Sequence, residues 1–378
     1  MRILIAPDSY KECLTAKEVS EVMYKACDSV LTESTIKQMP MADGGEGSLE
    51  AYLHAVNGKK NQIRVTGAYG QQIDAFYGLS EDGQEAFIEI AEIVGLQQVP
   101  INERSPLQST TYGVGEMLNH ILHIGVKRVT LGLGGSATND AGVGMLQALG
   151  VQFKLSTNHL SGKSVLRTKD LLNVQEVDFS TLNSKINELN ITVATDVDNR
   201  LTGETGATFV FGRQKGLQEK ELQSIDKAIR AFANKIETSI GKDYALEDGA
   251  GAAGGLGFAL QVIDGNIENG ASAISKISNL EAELKKADLV ITGEGKSDHQ
   301  TLFGKAPYYV AKLAKKYNIP VILLSGSIDD DSLDLNQYFD GVFSICQGPI
   351  SFEESQLHAK QLIEKQLKRI VTFYTRLT

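Results

Sequence analysis

The chain opens with a short apolar run, a polar loop and a capped amphipathic helix, and the same order returns near its end. Residues Arg2 to Ala6 hold a continuous apolar stretch that is typical of a buried parallel strand. Thr15 and Glu18 then form a capping-box pattern that begins a helix. Near the end, apolar runs at 289–291, 321–324 and 342–346 alternate with helical patterns at 305–317 and from 351 onward. This alternation predicts a doubly wound parallel sheet, to which both ends of the chain contribute strands.

The middle of the chain has a different pattern. Short alternating runs between residues 62 and 93 flank the turn pair Asp82-Gly83, which indicates antiparallel strands. A helical pattern then ends at Gly125, and a strand pattern follows it. We therefore predict an α/β protein of two domains. A Rossmann-like domain with a parallel sheet would comprise residues 1–60 and 285–378, and an inserted mixed α/β domain would comprise residues 61–284.

Composition disfavours several classes of function. The chain has 47 acidic and 37 basic residues, a formal net charge of −10 and no cluster of Lys and Arg, which argues against a nucleic-acid partner. Pro7 and Asp8 break the first apolar run, so the chain start resembles neither a signal peptide nor a membrane span. Three cysteines without metal-ligand spacing are typical of a reducing compartment. We expect a cytoplasmic protein with no membrane partner.

The 37 glycines cluster in a few loops, and the strongest of these loops spans residues 132–140. It lies between a predicted strand and a predicted helix. Glycines let the backbone approach an anion, and main-chain N–H groups before a helix can bind phosphate. The predicted phosphate contacts are Gly134, Gly135, Ser136, Ala137, Thr138 and Asn139. The structural alternative is a tight turn that Asn139 or Asp140 caps.

Three further loops place carboxylates beside glycines or directly after a predicted strand. They are 41–48 with Asp43, 195–199 with Asp196 and Asp198, and 292–298 with Glu294. Carboxylates in such positions can bind Mg²⁺ or accept the proton of a substrate hydroxyl, whereas capped turns with solvated acids are the alternative. The segment 249–257 is interpreted either as a phosphate cradle or as a stretch that packs closely against other backbone.

The sequence lacks the motifs of two large groups of phosphoryl-transfer proteins, and two other functions stay open. The chain has neither a G-x-x-x-x-G-K-[ST] loop nor the protein-kinase signatures. A nicotinamide-dependent oxidoreductase of a small hydroxy acid would need an acidic ribose ligand after its second strand, and no clear one follows the glycine loop. A non-catalytic protein that binds a small anion would not need three acidic loops. Both stay open as alternatives to a kinase.

Taken together, the loops resemble the bacterial glycerate kinase type 1 family. The similarity follows the order of the family's motifs over nearly the whole chain. The matching segments are APDSYKECLTA (6–16), PMADGGEGS (40–48), GLGGSATNDAGVGMLQALG (132–150), ATDVDNRLTGETGA (194–207), FGRQKG (211–216), GAGAAGGLG (249–257), TGEGKSDHQT (292–301) and GKAP (304–307). Tyr10, Arg200 and Arg213 depart from the family pattern, but none of them removes a carboxylate, a lysine or a loop glycine.

The resemblance implies ATP-dependent phosphorylation of D-glycerate, with 2-phosphoglycerate as the favoured product. It also implies a flavodoxin-like domain that is split around an inserted one. In phosphoryl transfer, positioning and charge neutralisation supply most of the catalysis, and Mg²⁺ bridges the phosphates. We therefore expect ATP and D-glycerate as substrates and Mg²⁺ as the cofactor.

The residue types of the loops suit these roles. We expect Asp196, Lys11 and Asp43 to be catalytic, with Asp196 as the favoured general base. Lys215 is predicted to join the glycine loop in binding phosphates. The predicted substrate contacts are Asp8, Ser9 and Lys11, and the predicted metal ligands are Asp43, Asp198 and Glu294. Which carboxylate is the base and which binds metal stays open at this point.

Overall fold

The computed structural model describes residues 1–31, 33–156, 164–329 and 334–376. The strands are β1 (Arg2–Ile5), β2 (Thr35–Gln38), β3 (Lys59–Thr66), β4 (Gln72–Leu79), β5 (Glu85–Glu89), β6 (Arg128–Gly132), β7 (Gln152–Leu155), β8 (Val174–Asp178), β9 (Asn190–Thr195), β10 (Asn266–Asn269), β11 (Leu289–Asp298), β12 (Val321–Asp329) and β13 (Gly341–Ser344). The helices are α1 (Ala16–Asp28), α2 (Ser48–Val56), α3 (Ala91–Val94), α4 (Tyr112–His123), α5 (Val143–Ala148), α6 (Ala207–Phe211), α7 (Glu219–Ile240), α8 (Ala252–Val262), α9 (Gly270–Ser278), α10 (Leu280–Leu284), α11 (Ala306–Lys316), α12 (Phe352–Leu357) and α13 (Ala359–Tyr374). Short 3₁₀ segments span Leu96–Gln98, Ile101–Glu103, Pro106–Gln108, Thr168–Asn173, Ser184–Glu188, His299–Leu302 and Asp334–Gln337.

The chain divides into two compact units. The first unit comprises Met1–Asp43, Glu50–Asn57 and Gly270–Thr378, and the second comprises Gly44–Leu49 and Gly58–Asn269. The division after Asn269 falls earlier than the boundary that we predicted near residue 285, because α9 packs on α11 of the first unit. The assignment of residues 44–49 to the second unit is another difference from the predicted boundaries. We propose that these units are the two domains of the protein.

The first unit is built on a parallel sheet to which both chain ends contribute, as the sequence pattern predicts. The strand order is β13-β12-β11-β1-β2, and every pairing in it is parallel. Apolar side chains of β1 and β11 are buried against α1 and α13. The predicted capping boxes are both formed, since Thr15 caps α1 with Glu18 and Ser351 caps α12 with Glu354.

Strand β11 is longer than predicted, and this changes the position of Glu294. We expected a loop from residue 292 onward, but β11 continues to Asp298 in parallel register with β12. The glycines that indicated a loop serve close strand contact instead. A Cβ at Gly293 would lie 2.1 Å from the carbonyl oxygen of Leu324, and one at Gly326 would lie 2.4 Å from that of Gly295. Glu294 therefore projects from a strand that is held on both sides.

The second unit contains a mixed sheet, as predicted for the middle of the chain. Its strand order is β10-β9-β6-β5-β4-β3. The pairs β3–β4 and β4–β5 are antiparallel, and the pairs β5–β6, β6–β9 and β9–β10 are parallel. Because parallel strands end at one edge, Glu89, the loop after Gly132 and the loop after Thr195 all lie at the same edge of this sheet.

No helix in the described ranges is long and apolar enough to cross a membrane. Cys13, Cys27 and Cys346 are free thiols. The structure therefore assigns no disulfide to these three cysteines.

Candidate active site

A cavity of about 780 Å³ lies at the carboxyl edge of the first unit's sheet. Open parallel sheets bind their ligands at this edge. Five of the predicted site residues line the cavity, namely Asp8, Ser9, Lys11, Asp43 and Glu294. Lys305 lines it too. We call the charged end of the cavity, formed by Asp8, Lys11, Asp43, Glu294 and Lys305, the acid pocket.

Asp8 is the most strongly perturbed carboxyl of the acid pocket. It follows β1, where its N–H donates to the carbonyl oxygen of Gly293 at 2.8 Å. Its side chain is buried, and its Oδ1 accepts a 2.6 Å hydrogen bond from the N–H of Ser9. Burial raises the pKa of Asp8 well above its ordinary value, and the negative charge of Asp43 raises that pKa further. Burial and the Asp43 charge therefore both favour the neutral form of the Asp8 carboxyl.

Glu294 is held in place by three side chains. Its Oε1 accepts hydrogen bonds from the hydroxyls of Thr301 at 2.6 Å and Ser297 at 2.9 Å. The Nζ of Lys305 lies 3.6 Å from its Oε2. Burial raises the pKa of Glu294, although the Lys305 ammonium and the two hydroxyls favour the ionised form. Sequence reasoning missed Lys305 as a site residue, and its only signal was its position in the GKAP segment.

Lys11 and Asp43 form the third charged contact of the acid pocket. The Nζ of Lys11 lies 3.6 Å from Oδ2 of Asp43. The Lys11 side chain is 71% exposed, whereas that of Asp43 is 9% exposed. An exposed ammonium on a flexible stem can move to a bound anion. Across the described ranges, no three Asp, Glu, His or Cys side chains are grouped closely enough to hold a metal ion by themselves.

The second unit holds the predicted glycine loop, in which some N–H groups already have acceptors. The N–H of Gly134 donates to the carbonyl oxygen of Gly44 at 3.2 Å, and that of Ala137 donates to Val94 at 2.8 Å. Among the described residues, no acceptor pairs with the N–H of Gly135, Ser136 or Asn139. These three amides are available to a phosphate or carboxylate.

The side chains of the glycine loop stabilise its turn. The Oγ of Ser136 accepts from the N–H of Thr138 at 3.0 Å and lies 2.8 Å from the Thr138 hydroxyl. Asn139 donates from Nδ2 to the Thr208 hydroxyl at 3.0 Å. Its Oδ1 is buried without a hydrogen-bond partner in the described part of the chain. A buried acceptor of this kind is a candidate partner for a donor outside the protein.

Asp140 and Lys215 hold the glycine loop from the protein interior. Asp140 is fully buried and accepts hydrogen bonds from Thr111, Gly142 and Gly144. The Nζ of Lys215 donates to the carbonyl oxygen of Thr138 at 2.7 Å. Burial lowers the pKa of Lys215 to about 7, which the nearby Asp140 opposes. The structure thus places Lys215 at the main chain of the loop.

The glycine segment 249–257 packs against the same loop. A Cβ at Gly254 would lie 2.0 Å from the carbonyl oxygen of Thr138, and one at Gly251 would lie 2.3 Å from that of Arg200. Ala253, Gly254 and Gly255 have left-handed backbones, so the regular part of α8 begins after them. Of the two interpretations of this segment, close packing accounts for these contacts.

Asp196 and Asp198 lie in the second unit, in the loop after β9, and both are exposed. The loop is fixed by main-chain contacts, including a 2.8 Å hydrogen bond from the N–H of Gly251 to the carbonyl oxygen of Asn199. Strand β9 is paired with β6, which leads into the glycine loop. The structure therefore groups Asp196 and Asp198 with the glycine loop in one unit, and Asp43 and Glu294 with Asp8 in the other.

Sequence reasoning also missed Glu89, which ends β5. The side chain is 4% exposed and accepts hydrogen bonds from the N–H groups of Gly47 at 3.3 Å and Leu49 at 3.0 Å. Burial raises the pKa of Glu89 to about 7, and the two N–H donors act in the opposite direction. The available signal was a single acid inside the apolar run Phe87 to Ile90.

Fold and site together define a class of protein. One unit has a parallel sheet whose carboxyl edge carries buried carboxyls and lysines, and the other unit has a glycine loop with main-chain amides left unpaired by the described residues. Each of these features is typical of α/β enzymes that transfer phosphoryl groups between small molecules. A family model described as the glycerate kinase family matches residues 3–375, and the chain belongs to this family. It is thus a kinase family member, with ATP as the phosphate donor.

Individual relatives agree with this assignment. A glycerate kinase of Bacillus cereus (strain ATCC 10987 / NRS 248) is 40% identical over 99% of this chain and 98% of its own. A glycerate 2-kinase of Escherichia coli (strain K12) is 40% identical over 94% of this chain and 93% of its own. The crystal structure of a candidate glycerate kinase 2 from Salmonella typhimurium LT2 matches with a TM-score of 0.88 at 39% identity, over 100% of this chain and 98% of the other.

Proposed function

We propose that this chain transfers the γ-phosphoryl group of ATP to the 2-hydroxyl of D-glycerate. The observation that carries the proposal is the acid pocket, where three buried carboxyls and two lysines line one cavity at the carboxyl edge of a parallel sheet. The relative from Escherichia coli that is named a glycerate 2-kinase supports the choice of hydroxyl. A small hydroxy acid and a polyphosphate both need cationic partners, which Lys11 and Lys305 supply.

The reaction forms one bond and breaks one. The hydroxyl oxygen of glycerate attacks the γ-phosphorus of ATP, and the bond from that phosphorus to the bridging oxygen of ADP breaks. The hydroxyl proton passes to a carboxylate, for which we propose Asp196 because it is exposed at the edge of the sheet where the glycine loop begins. Most of the rate enhancement in such transfers comes from positioning and from neutralising phosphate charge.

We assign the remaining residues by their contacts. The free N–H groups of Gly135, Ser136 and Asn139 would bind phosphate oxygens, and Lys215 would hold their loop through the Thr138 carbonyl. Asp8, Ser9 and Lys11 would bind glycerate, with the Lys11 ammonium facing its carboxylate. Asp8 is then both a substrate contact and a source of negative charge in the acid pocket.

The chemistry of the acid pocket fits Mg²⁺. Asp43 and Glu294 offer the hard oxygen ligands that Mg²⁺ prefers, and added positive charge would relieve the repulsion between the Asp8 and Asp43 carboxyls. Mg²⁺ is usually held by one or two carboxylates together with water and substrate phosphates, so a pair of protein ligands is sufficient. When bound, the ion would neutralise charge on the transferred phosphoryl group. Asp198 remains a proposed further ligand.

The decisive experiment mixes the purified protein with ATP, MgCl₂ and D-glycerate and follows ADP formation. We expect turnover only when all three are present, and none in excess EDTA. The ³¹P spectrum of the product then identifies the acceptor, because a phosphate on C2 couples to one proton and a phosphate on C3 couples to two. A C3 product would contradict the proposed hydroxyl but not the kinase.

Two matched variants test the site itself. Asp196→Asn should remove turnover while leaving ATP binding intact. Asp198→Asn, at the neighbouring exposed position, tests the proposed metal ligand, because loss of a ligand should raise the MgCl₂ concentration that turnover requires. Equal rates for Asp196→Asn and the unmodified protein would reassign the general base to the acid pocket.

The cytoplasmic location that the cysteines indicate stays a prediction.

A further inference from the structure

The cavity of the first unit has a second end that the proposed chemistry does not use. Opposite in character to the acid pocket, it is lined by apolar side chains. These are Ile328 near the end of β12, Ile345 after β13, Pro349 and Ile350 just before α12, and Phe352 at its first position. We call this set the apolar end.

The apolar end is larger and more exposed than glycerate requires. The whole cavity has a volume of about 780 Å³, within the range of sites for drug-sized ligands. A three-carbon acid would occupy only a small part of it. Phe352 is 66% exposed and Ile350 is 37% exposed. Large apolar side chains that face an open cavity mark a surface that a ligand covers.

The apolar end is tied to the charged end by hydrogen bonds. Gln356 of α12 donates from Nε2 to the carbonyl oxygen of Glu12, and its own carbonyl oxygen accepts from the Cys13 thiol at 3.5 Å. The Ser351 cap fixes the start of α12, so the position of Phe352 is set by the fold. One ligand can therefore contact α12 and the loop after β1 together.

We propose that the apolar end binds the base and ribose of ATP, with the base against Phe352 and Ile350. This inference rests on the proposed function. A nucleotide matches the cavity in polarity, since it is apolar and aromatic at one end and charged at the other, and the Mg²⁺ of the proposed function would offset the excess of carboxyls over lysines in the acid pocket. The polyanionic end then faces the ammonium group of Lys305, while Lys11 stays with glycerate. Base stacking on an aromatic side chain supplies much of such binding.

The test compares Phe352→Ala with Leu357→Ala. Both residues are exposed apolar side chains of α12, at 66% and 75%, but Leu357 does not line the cavity. We expect Phe352→Ala to raise the KM for ATP roughly tenfold and to weaken inhibition by adenosine to a similar degree. Leu357→Ala should change neither. The KM for D-glycerate and the melting temperature should stay unchanged in both variants.

Inhibition by inorganic tripolyphosphate distinguishes the loss of a contact to the base from a general disturbance of the site. It carries the phosphates without the nucleoside, so its inhibition constant should be equal in Phe352→Ala and the unmodified protein. Equal weakening of tripolyphosphate and ATP, or an unchanged KM for ATP, would overturn the proposal. Adenosine binding to the unmodified protein and to Phe352→Ala is also measured by calorimetry, which needs no turnover. Failure of the unmodified protein to phosphorylate glycerate would therefore contradict the proposed function alone.

Discussion

The Nζ of Lys215 donates a 2.7 Å hydrogen bond to the carbonyl oxygen of Thr138, across 77 residues of sequence. Both residues are buried, at 3% and 0% exposure. The bond fixes the main chain of the glycine loop between Ser136 and Asp140. A neutral amine can donate it as well as an ammonium can, so the contact persists when the side chain loses its proton.

The first prediction concerns the pH dependence of stability through Lys215. Burial lowers its pKa from 10.5 to about 7. Between these values the unfolded state holds a proton that the folded state has released, so the free energy of unfolding rises with pH. We expect this rise, with a slope of up to about 1.4 kcal/mol per pH unit, in urea titrations from pH 7 to 10. Lys215→Met should abolish it, and an unchanged slope in that variant would contradict the assignment.

The second prediction separates phosphate binding from capping at Ser136. Ser136→Ala removes the acceptor for the Thr138 N–H, which should lower stability by about 1 kcal/mol. If the hydroxyl also contacts a phosphate, loss of that bond would cost about 1.5–3 kcal/mol, or about ten- to a hundredfold in kcat/KM. A variant with a lower melting temperature but unchanged ATP affinity and turnover would show that the serine only stabilises the turn.

The third prediction tests the close packing of the segment 249–257. Gly254 and Gly241 have the same left-handed φ of +71°, but only Gly254 lies against other backbone. Gly241→Ala should therefore cost only the left-handed strain of about 1–2 kcal/mol. Gly254→Ala adds a clash with the Thr138 carbonyl, worth about 1–3 kcal/mol more. Equal losses of unfolding free energy in the two variants would argue against close packing there.

Local signals predicted much of the fold. The capping boxes at Thr15 and Ser351 and the hairpin turn at Gly83 depend on residues a few positions apart, and all three are present. The strands at the two ends were predicted to share a parallel sheet, and β1 pairs with β11. Their apolar composition carries that information, because a strand covered on both faces cannot alternate.

Contacts between distant segments were beyond sequence reasoning. The glycines at 293 and 295 indicated a loop, yet both belong to β11, where a Cβ at Gly293 would collide with the Leu324 carbonyl oxygen of the paired strand. Glu89 is paired with N–H groups about 40 residues earlier in the chain, and no periodicity encodes such a pair. Four residues of the acid pocket were candidates from the sequence, and their roles stay predictions, whereas Lys305, whose Nζ lies 3.6 Å from Oε2 of Glu294, was not a candidate.

The last prediction concerns Glu89, whose carboxyl accepts from Gly47 and Leu49 at the start of α2. Burial raises its pKa from 4.5 to about 7, and the nearby Glu92 and Glu46 raise it further. Between these values the folded state holds a proton that the unfolded state has released, so the free energy of unfolding falls as the pH rises. Glu89→Gln cannot titrate and should not show this contribution.

The measurement is the difference in unfolding free energy between the unmodified protein and Glu89→Gln from pH 4.5 to 7. We expect the unmodified protein to lose stability relative to the variant, by up to about 1.4 kcal/mol per pH unit. Glu81→Gln, at an exposed position in the turn between β4 and β5, is the control and should give a difference that is flat with pH. A flat difference for Glu89→Gln as well would mean that the Glu89 carboxyl is ionised throughout this range, held so by its two N–H donors.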